Sequence, residues 1–131
     1  MSFDPAALPP DVVAFTTERH LATLTTLRPD GTPHVVPVGF SWDPDERVVR
    51  IITFAPSRKV RNLLAAPGSR AVVCQVDGGR WLSFEGPATV TDDPARVAAA
   101  VACYAARYRQ PGERADRVAI EIAVDRVLGR A

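Results

Sequence analysis

Short segments of alternating polarity, separated by tight-turn motifs, constrain the fold of this chain more than any other feature of its sequence. In the segment 118–125, Val or Ile occupies every second position, which is the pattern of a strand with one buried face. Turn motifs stand between such segments, among them Pro29-Asp30-Gly31-Thr32 and Asp77-Gly78-Gly79. Because strands joined by tight turns pair in the antiparallel sense, the pattern predicts a mainly antiparallel sheet.

The same pattern predicts six strands and three helices along the chain. The predicted strands are His20–Leu27, His34–Trp42, Val48–Thr53, Ala71–Val76, Arg80–Val90 and Val118–Asp125. The predicted helices are Leu8–Arg19, Pro56–Ala66 and one that begins at Asp93-Pro94 and carries Tyr104 and Tyr108. A strongly twisted six-stranded sheet tends to close, so we expect a mainly β fold, a β-barrel with accessory helices. A length of 131 residues predicts one domain, residues 1–131.

Net charge, hydrophobic segments and cysteine spacing limit the kinds of binding partner and the cellular location that we expect. The net charge is +1, whereas a nucleic-acid-binding domain carries a clear basic excess, so no nucleic-acid partner is expected. No apolar segment approaches the roughly 20 residues of a membrane span, and no signal-peptide pattern opens the chain, so no membrane partner is expected. Cys74 and Cys103 lack CxxC spacing and are expected to be buried, reduced thiols, which favours a cytoplasmic protein.

The densest polar cluster is Ser57-Arg58-Lys59-Val60-Arg61-Asn62, at a predicted strand-to-helix junction. Free backbone N–H groups at a helix start attract anions, and Arg58 and Lys59 add full positive charge. The cluster therefore indicates a phosphate site. The alternative is a solvated basic helix face, which is common, and the spacing alone does not decide between the two.

No pattern indicates chemistry carried by side chains alone. His20 and His34 lack metal-ligand spacing, so no metal site is predicted and a structural or surface role is favoured for both. Neither a GxSxG motif nor an obvious pair of carboxylates is present, so the catalytic residues are unknown. This favours a bound cofactor that supplies the chemistry. Thr53 and Gln75 near strand ends are candidates to reach a ligand ring, as is Trp81, for which packing in the core or at an interface is the alternative.

Five segments together resemble one family of proteins. They are Glu18–Leu24, Leu27–Val38, Ser57–Leu63, Gln75–Gly86 and Arg107–Arg109. Together they resemble the split-barrel flavin and deazaflavin oxidoreductases related to pyridoxamine 5'-phosphate oxidase, in the group that uses the deazaflavin coenzyme F420. The last two segments resemble the biliverdin reductase branch of that group. The resemblance implies a split β-barrel that forms a homodimer, with two cofactor sites at the subunit interface.

The resemblance also implies a set of site residues. The deazaflavin ring would be contacted by Val36, Pro37, Val38 and Gly39, and the ring and the ribityl chain would be flanked by Ile52 and Thr53. The phosphate and the start of the acidic glutamate tail would be held by Ser57, Arg58, Lys59 and Asn62. The pocket would be completed, from the same or the partner subunit, by Gln75, Gly79 and Trp81. Arg80 and Arg109 are candidates to bind substrate propionates.

The implied function is hydride transfer from reduced coenzyme F420 to a conjugated organic acceptor, a small-molecule substrate such as biliverdin, which would become bilirubin. Two alternatives stay open: an FMN-dependent oxidoreductase with the same fold, and a non-enzymatic carrier of a flavin, deazaflavin or tetrapyrrole. Phe54 departs from the family pattern, in which small residues or glycine are expected, and its bulk would reshape the pocket.

Overall fold

Nine antiparallel strands and three helices make up the structure, a computed structural model that describes residues 1–131. The strands are β1 (Ser2–Phe3), β2 (Ala22–Leu27), β3 (Pro33–Val38), β4 (Ser41–Asp43), β5 (Val48–Phe54), β6 (Arg70–Asp77), β7 (Arg80–Thr91), β8 (Arg117–Ala123) and β9 (Arg126–Arg130). The helices are α1 (Pro10–Thr17), α2 (Arg58–Ala65) and α3 (Pro94–Arg107). The predicted mainly β, antiparallel architecture with three helices is confirmed.

The predicted number of six strands was too low, because one predicted strand is divided in two and two short strands were not predicted. The predicted strand His34–Trp42 is interrupted at Gly39 and Phe40, because both backbone groups of Phe40 bond to side chains from the end of α3 instead of to a neighbouring strand. The other two additional strands, β1 and β9, pair with each other, and β9 also pairs with β7. Strands this short carry little periodicity for a sequence pattern to reveal.

The long strand β7 holds the two halves of the barrel together. The strand order is β3-β2-β6-β7-β8-β5-β4, with β9 added beside β7. Residues Arg80–Pro87 of β7 pair with β6, and residues Ala88–Thr91 pair with β8. Residues Trp81–Glu85 also pair with β9, and Gly86 stands where this partner changes from β9 to β8; a Cβ atom there would overlap the carbonyl oxygen of Ala123. Glycine is therefore required at this position by a close backbone approach.

Aromatic side chains fill the centre of the core between the two halves. Phe84 of β7 is fully buried, and its ring centroid lies 5.8 Å from that of Phe40 and 5.0 Å from that of Trp42. Helix α1 packs against β4, α2 against β2 and β7, and α3 against β4, β5 and β8. None of the three helices is long and apolar enough to cross a membrane.

The barrel is split between β3 and β5. Strand β3 pairs only with β2, which leaves its outer edge without a partner. Strand β5 pairs with β8 along its whole length but with β4 only as far as Arg50. One edge of Ile51–Phe54 is therefore also free. Unpaired strand edges present backbone N–H and C=O groups that are available to a ligand.

We expect Gly86→Ala to destabilise the protein by about 1–3 kcal/mol, because the added methyl group overlaps the Ala123 carbonyl in a packed interior. The matched control is Gly112→Ala, where nothing lies within 4 Å of the added Cβ, and the expected change is below about 1 kcal/mol. Urea unfolding of both variants measures the two effects. Equal stability of the two variants would contradict this account of the β7 crossing.

Candidate functional site

A cavity of about 250 Å³ lies where the split edges of β3 and β5 meet the start of α2. Five parts of the chain line it: the end of β3 with the turn after it, the end of β5, the first turn of α2, helix α3, and the segment from Arg114 to the start of β8. The lining residues are Pro37, Val38, Gly39, Ile52, Thr53, Phe54, Lys59, Tyr104, Arg114 and Arg117. Six of these ten positions belong to the set implied by the sequence resemblance, and the structure brings them together in one place.

The start of α2 offers unsatisfied donors beside this cavity. The first backbone hydrogen bond of the helix runs from the N–H of Arg61 to the carbonyl of Ser57, so the three N–H groups between them have no intrahelical partner. The Ser57 side chain does not cap the helix but is buried, and its hydroxyl lies 3.3 Å from the Thr53 hydroxyl. The helix start is thus open to an external acceptor, as an anion site requires.

Lys59 brings a partly desolvated positive charge to the cavity. Burial lowers the pKa of its amine, and no carboxylate pairs with it. Its Nζ atom lies 5.6 Å from the Phe54 ring centroid, and the Arg114 guanidinium lies 4.1 Å from the same centroid. Phe54, where the resemblance predicts a small residue, therefore carries two cations over its ring, and its bulk positions charge as well as restricting space.

The imidazole of His34 lies near the same positive charges. Burial lowers its pKa, and Arg28, Lys59 and Arg58 lower it further, so the ring is neutral at physiological pH. Its Nδ1 atom is buried without a hydrogen-bond partner. A neutral imidazole does not compete with the nearby cations for an anion, and the structural or surface role of His34 stays a prediction.

Two of the implied site residues have partners inside the chain. Asn62 is buried, and its amide Nδ2 donates to the Thr26 hydroxyl at 3.0 Å, which ties α2 to β2. Gln75 is fully buried, donates to the Phe15 carbonyl at 2.8 Å and accepts from Arg107 at 2.5 Å. Neither residue lines the cavity. Contact of either side chain with a cofactor stays a prediction, and the geometry gives both a scaffold role.

The implied residues of the β6–β7 hairpin lie outside the cavity formed by this subunit. Gly79 is in the turn, and Trp81 is 36% exposed. The Arg80 guanidinium bonds the Glu18 carboxylate through two nitrogens at 2.9 Å and also bonds Asp77. These bonds to Arg80, and one from His20, lower the pKa of Glu18 to about 2. Arg80 is therefore committed to a surface ion-pair cluster.

The remaining predicted positions, Val36, Arg58 and Arg109, do not line the cavity. Val36 is partly buried and packs against the hydrophobic core, so its side chain faces inward although its backbone belongs to the free edge of β3. Arg58 is exposed at the first position of α2. Arg109 lines a separate surface hollow together with Arg19, Leu21, Tyr104 and Tyr108. Of these three residues, only Arg58 can contribute charge close to the helix start.

The turn after β3 is held by the end of α3. Arg107 donates to three acceptors: the Glu18 carbonyl at 2.9 Å, the Phe40 carbonyl at 2.7 Å, and the Gln75 side chain. The Tyr108 hydroxyl donates to the His20 carbonyl at 2.6 Å and accepts from the Phe40 N–H at 3.2 Å. Burial raises the pKa of Tyr108, so it stays protonated and able to donate. These bonds fix the direction in which β3 enters the cavity.

Gly39 has a packing role in this turn. A Cβ atom there would lie 2.8 Å from a ring carbon of Tyr104 and 2.9 Å from one of Tyr108. Both distances are shorter than carbon–carbon contact allows, so the two tyrosines can approach the turn only because the residue is glycine.

Sequence reasoning did not assign a site role to Tyr104, Arg114 or Arg117. Arg114 lies in the segment predicted only as a polar loop, and Arg117 follows it. Nothing in their spacing indicates which way the two side chains point. Strand pairing would have placed one of them, because Arg117 stands opposite Phe54 in the β5–β8 register. That register depends on the fold and cannot be read from a single strand pattern.

The donors present fit a phosphorylated, planar heterocyclic cofactor. Lys59 and the open start of α2 supply the charge and N–H donors that a phosphate accepts. The free edges of β3 and β5 supply backbone carbonyl and N–H groups for the polar edge of a ring, although Pro37 offers only its carbonyl. No carboxylate lines the cavity to repel an anion.

Comparison with known proteins agrees with this arrangement. The chain is 51% identical over 121 residues, 92% of its own length and 87% of the relative's, to the F420H(2)-dependent biliverdin reductase of Mycobacterium tuberculosis (strain CDC 1551 / Oshkosh). The solved structure of an F420 reductase matches with a TM-score of 0.74 at 28% identity, over 92% of this chain and 98% of that chain. A conserved hypothetical protein from Mycobacterium tuberculosis matches with a TM-score of 0.78 at 24% identity, over 94% and 84% of the two chains, and shows the shared fold.

The family model described as pyridoxamine 5'-phosphate oxidase matches residues 8–131. It spans all three helices and every strand except β1, and with them the cavity and its open helix start. The family resemblance read from the sequence is thereby confirmed, and the chain belongs to the pyridoxamine 5'-phosphate oxidase family.

Proposed function

We propose that this protein is an F420-dependent oxidoreductase that reduces a conjugated organic acceptor, with biliverdin as the acceptor and bilirubin as the product. One observation carries the proposal: a phosphate-type donor set and two free strand edges meet in one cavity. The 51% identity to an F420H(2)-dependent biliverdin reductase supports F420 as the cofactor and biliverdin as the acceptor.

The chain contributes binding and orientation to this reaction. Lys59 and the start of α2 hold the cofactor phosphate, and the edges of β3 and β5 hold the ring, with Thr53 beside it. When bound in its reduced form, F420 supplies the hydride. The cations of the cavity stabilise negative charge that develops on the acceptor. No Asp or Glu lines the cavity, and we propose that solvent or a water ordered by an arginine delivers the proton that completes the reduction.

The protein is a homodimer in this proposal. The outer face of β2, β3, β6 and β7 carries exposed apolar side chains, among them Val35 at 56%, Val76 at 63% and Trp81 at 36% exposure. An extensive exposed apolar face marks an interaction surface. Pro37 belongs to the same face of β3 as Val35 and also lines the cavity, so a partner seated there would border the cofactor. Gly79 and Trp81 of the partner would then complete the pocket.

We also propose a cytoplasmic location. Cys74 and Cys103 form no disulfide, and both are half-buried rather than fully buried. Burial raises the pKa of the Cys74 thiol, which keeps it protonated. Unpaired, protonated thiols agree with a reducing compartment.

Two alternatives are separated by direct measurement. FMN also carries a phosphate and a planar ring, so the donor set accepts it, whereas the named relatives favour F420. Titration of the purified protein with each cofactor decides between them, and tight FMN binding without F420 binding would refute the proposal. A carrier would bind F420 but give no bilirubin from biliverdin and reduced F420.

We expect Lys59→Ala to weaken F420 binding by roughly 1–3 kcal/mol, about 5- to 150-fold in Kd, because the phosphate loses a charge-assisted hydrogen bond. Arg61→Ala is the matched control, since Arg61 is exposed on the same helix and lines no part of the cavity. Fluorescence titration measures both variants. An unchanged Kd for Lys59→Ala would show that the phosphate binds elsewhere.

We expect Val76→Asp to convert the dimer to a monomer, because it places a charge in the apolar interface. The control is Leu64→Asp, since Leu64 is 61% exposed on α2, away from the sheet face. Size-exclusion chromatography with light scattering gives the mass of each. A wild-type monomer, or a Val76→Asp dimer, would refute this interface.

A further inference from the structure

The candidate cavity holds more positive charge than one phosphate needs. Lys59, Arg114 and Arg117 all line it, and no Asp or Glu does. In the proposed complex the phosphate is satisfied by Lys59 and the start of α2. Two guanidinium groups therefore remain for a second anionic group.

The two arginines differ in how far other side chains satisfy them. Arg114 bonds Asp116 at 2.6 and 3.3 Å and lies against the Phe54 ring. Arg117 has no carboxylate partner, and its side chain makes no hydrogen bond within the chain. Its backbone pairs with Phe54 in the β5–β8 register, which fixes its position at the cavity wall. The position of Arg117 in the strand is thus fixed, while the N–H donors of its guanidinium group are free to bind a ligand.

A second hollow adjoins the first through the same two arginines. It has a volume of about 590 Å³ and lies between α3 and the loop that follows it. Three apolar side chains of α3 contribute to its wall: Val97, Ala98 and Val101. Its acidic residues are Asp92 and Glu113, which do not line the first cavity. Arg114 and Arg117 line both hollows, so these two residues form part of the wall between them.

We propose that Arg114 and Arg117 form a carboxylate-binding site of the reaction complex, in which Arg117 is the principal ligand. The proposal rests on the proposed function and extends it to the acceptor. The ligand class is a conjugated, apolar molecule with carboxylate side chains, whose body lies along α3 while a carboxylate bonds the arginines. Arginine suits this task because its planar fork donates two parallel hydrogen bonds to one carboxylate.

Two sources of carboxylate share this chemistry: the propionates of a tetrapyrrole acceptor and the acidic tail of F420. The apolar surface of α3 favours the acceptor, because a polar chain of glutamates gains no stabilisation from contact with apolar side chains. Arg80 and Arg109, the candidates from the sequence, are less suited than Arg117. Arg80 is already bonded to two carboxylates, and Arg109 lines a different hollow.

The test compares Arg117→Ala, the double variant Arg114→Ala/Arg117→Ala, and the control Arg126→Ala. Arg126 is exposed on β9 and lines neither hollow. Equilibrium binding of biliverdin, of its dimethyl ester and of F420 is measured separately by absorbance or fluorescence. Biliverdin is titrated into the cofactor-free protein. The KM for biliverdin is measured in addition. Thermal unfolding establishes that each variant is folded, and Arg117→Lys, which keeps the charge, is expected to recover part of the binding.

We expect Arg117→Ala to raise the Kd and KM for biliverdin about tenfold or more, with the Kd for F420 changed by less than about twofold. The dimethyl ester, which lacks the charge, should bind wild type and variant equally. Unchanged biliverdin binding in the double variant, or no biliverdin binding by wild type, would overturn the proposal. A loss of F420 binding alone would assign the arginines to the cofactor tail and overturn the acceptor assignment. Failure of the wild-type protein to bind F420 would instead refute the proposed function. The biliverdin titration is independent of that result, because it uses the cofactor-free protein.

Discussion

The hydrogen bonds that Arg107 and Tyr108 make to the turn after β3 determine the geometry of the candidate site. Phe40 cannot join a strand ladder, because its N–H and C=O are both bonded to these two side chains. The chain turns there, so β3 ends at Val38 with a free edge and β4 pairs with β5 only as far as Arg50. The same contacts bind Gln75 and the carbonyls of Glu18 and His20, and removal of either side chain would leave buried polar groups unsatisfied.

The split created in this way places three kinds of recognition side by side. Free strand edges offer backbone groups to a ring, the open start of α2 offers N–H donors to a phosphate, and the β5–β8 register sets Arg117 beside Phe54. The Phe54 ring lies between these features, with the Lys59 amine 5.6 Å and the Arg114 guanidinium 4.1 Å from its centroid. A bulky residue in a segment where small residues were expected thus becomes part of the electrostatics of the site, between the part proposed to bind the phosphate and the part proposed to bind the acceptor.

Local patterns predicted most of the fold, and the residues implied by the family resemblance include six of the ten that line the cavity. Alternating polarity located β8, and the Gly78-Gly79 turn located the β6–β7 hairpin, because both signals are local. The division of β3 from β4 was not predictable, since it depends on bonds between residues 67 or 68 positions apart. Gln75 and Asn62 are buried and bond to other residues of the chain, although the Asn62 Oδ1 atom has no partner. Residue type alone does not separate a ligand role from a scaffold role, so their contact with a cofactor stays a prediction. The sequence assigned no role to Arg117, because its position at the cavity wall depends on strand register.

The central claim is that one cavity, between the edges of β3 and β5 and the start of α2, binds F420. A crystal structure of the protein with F420 tests it most directly. We expect the phosphate to lie within hydrogen-bonding distance of Lys59 and of the first N–H groups of α2, with the deazaflavin ring along Pro37–Gly39 and Ile52–Thr53. A phosphate bound away from α2, or a ring that contacts neither strand edge, would contradict it.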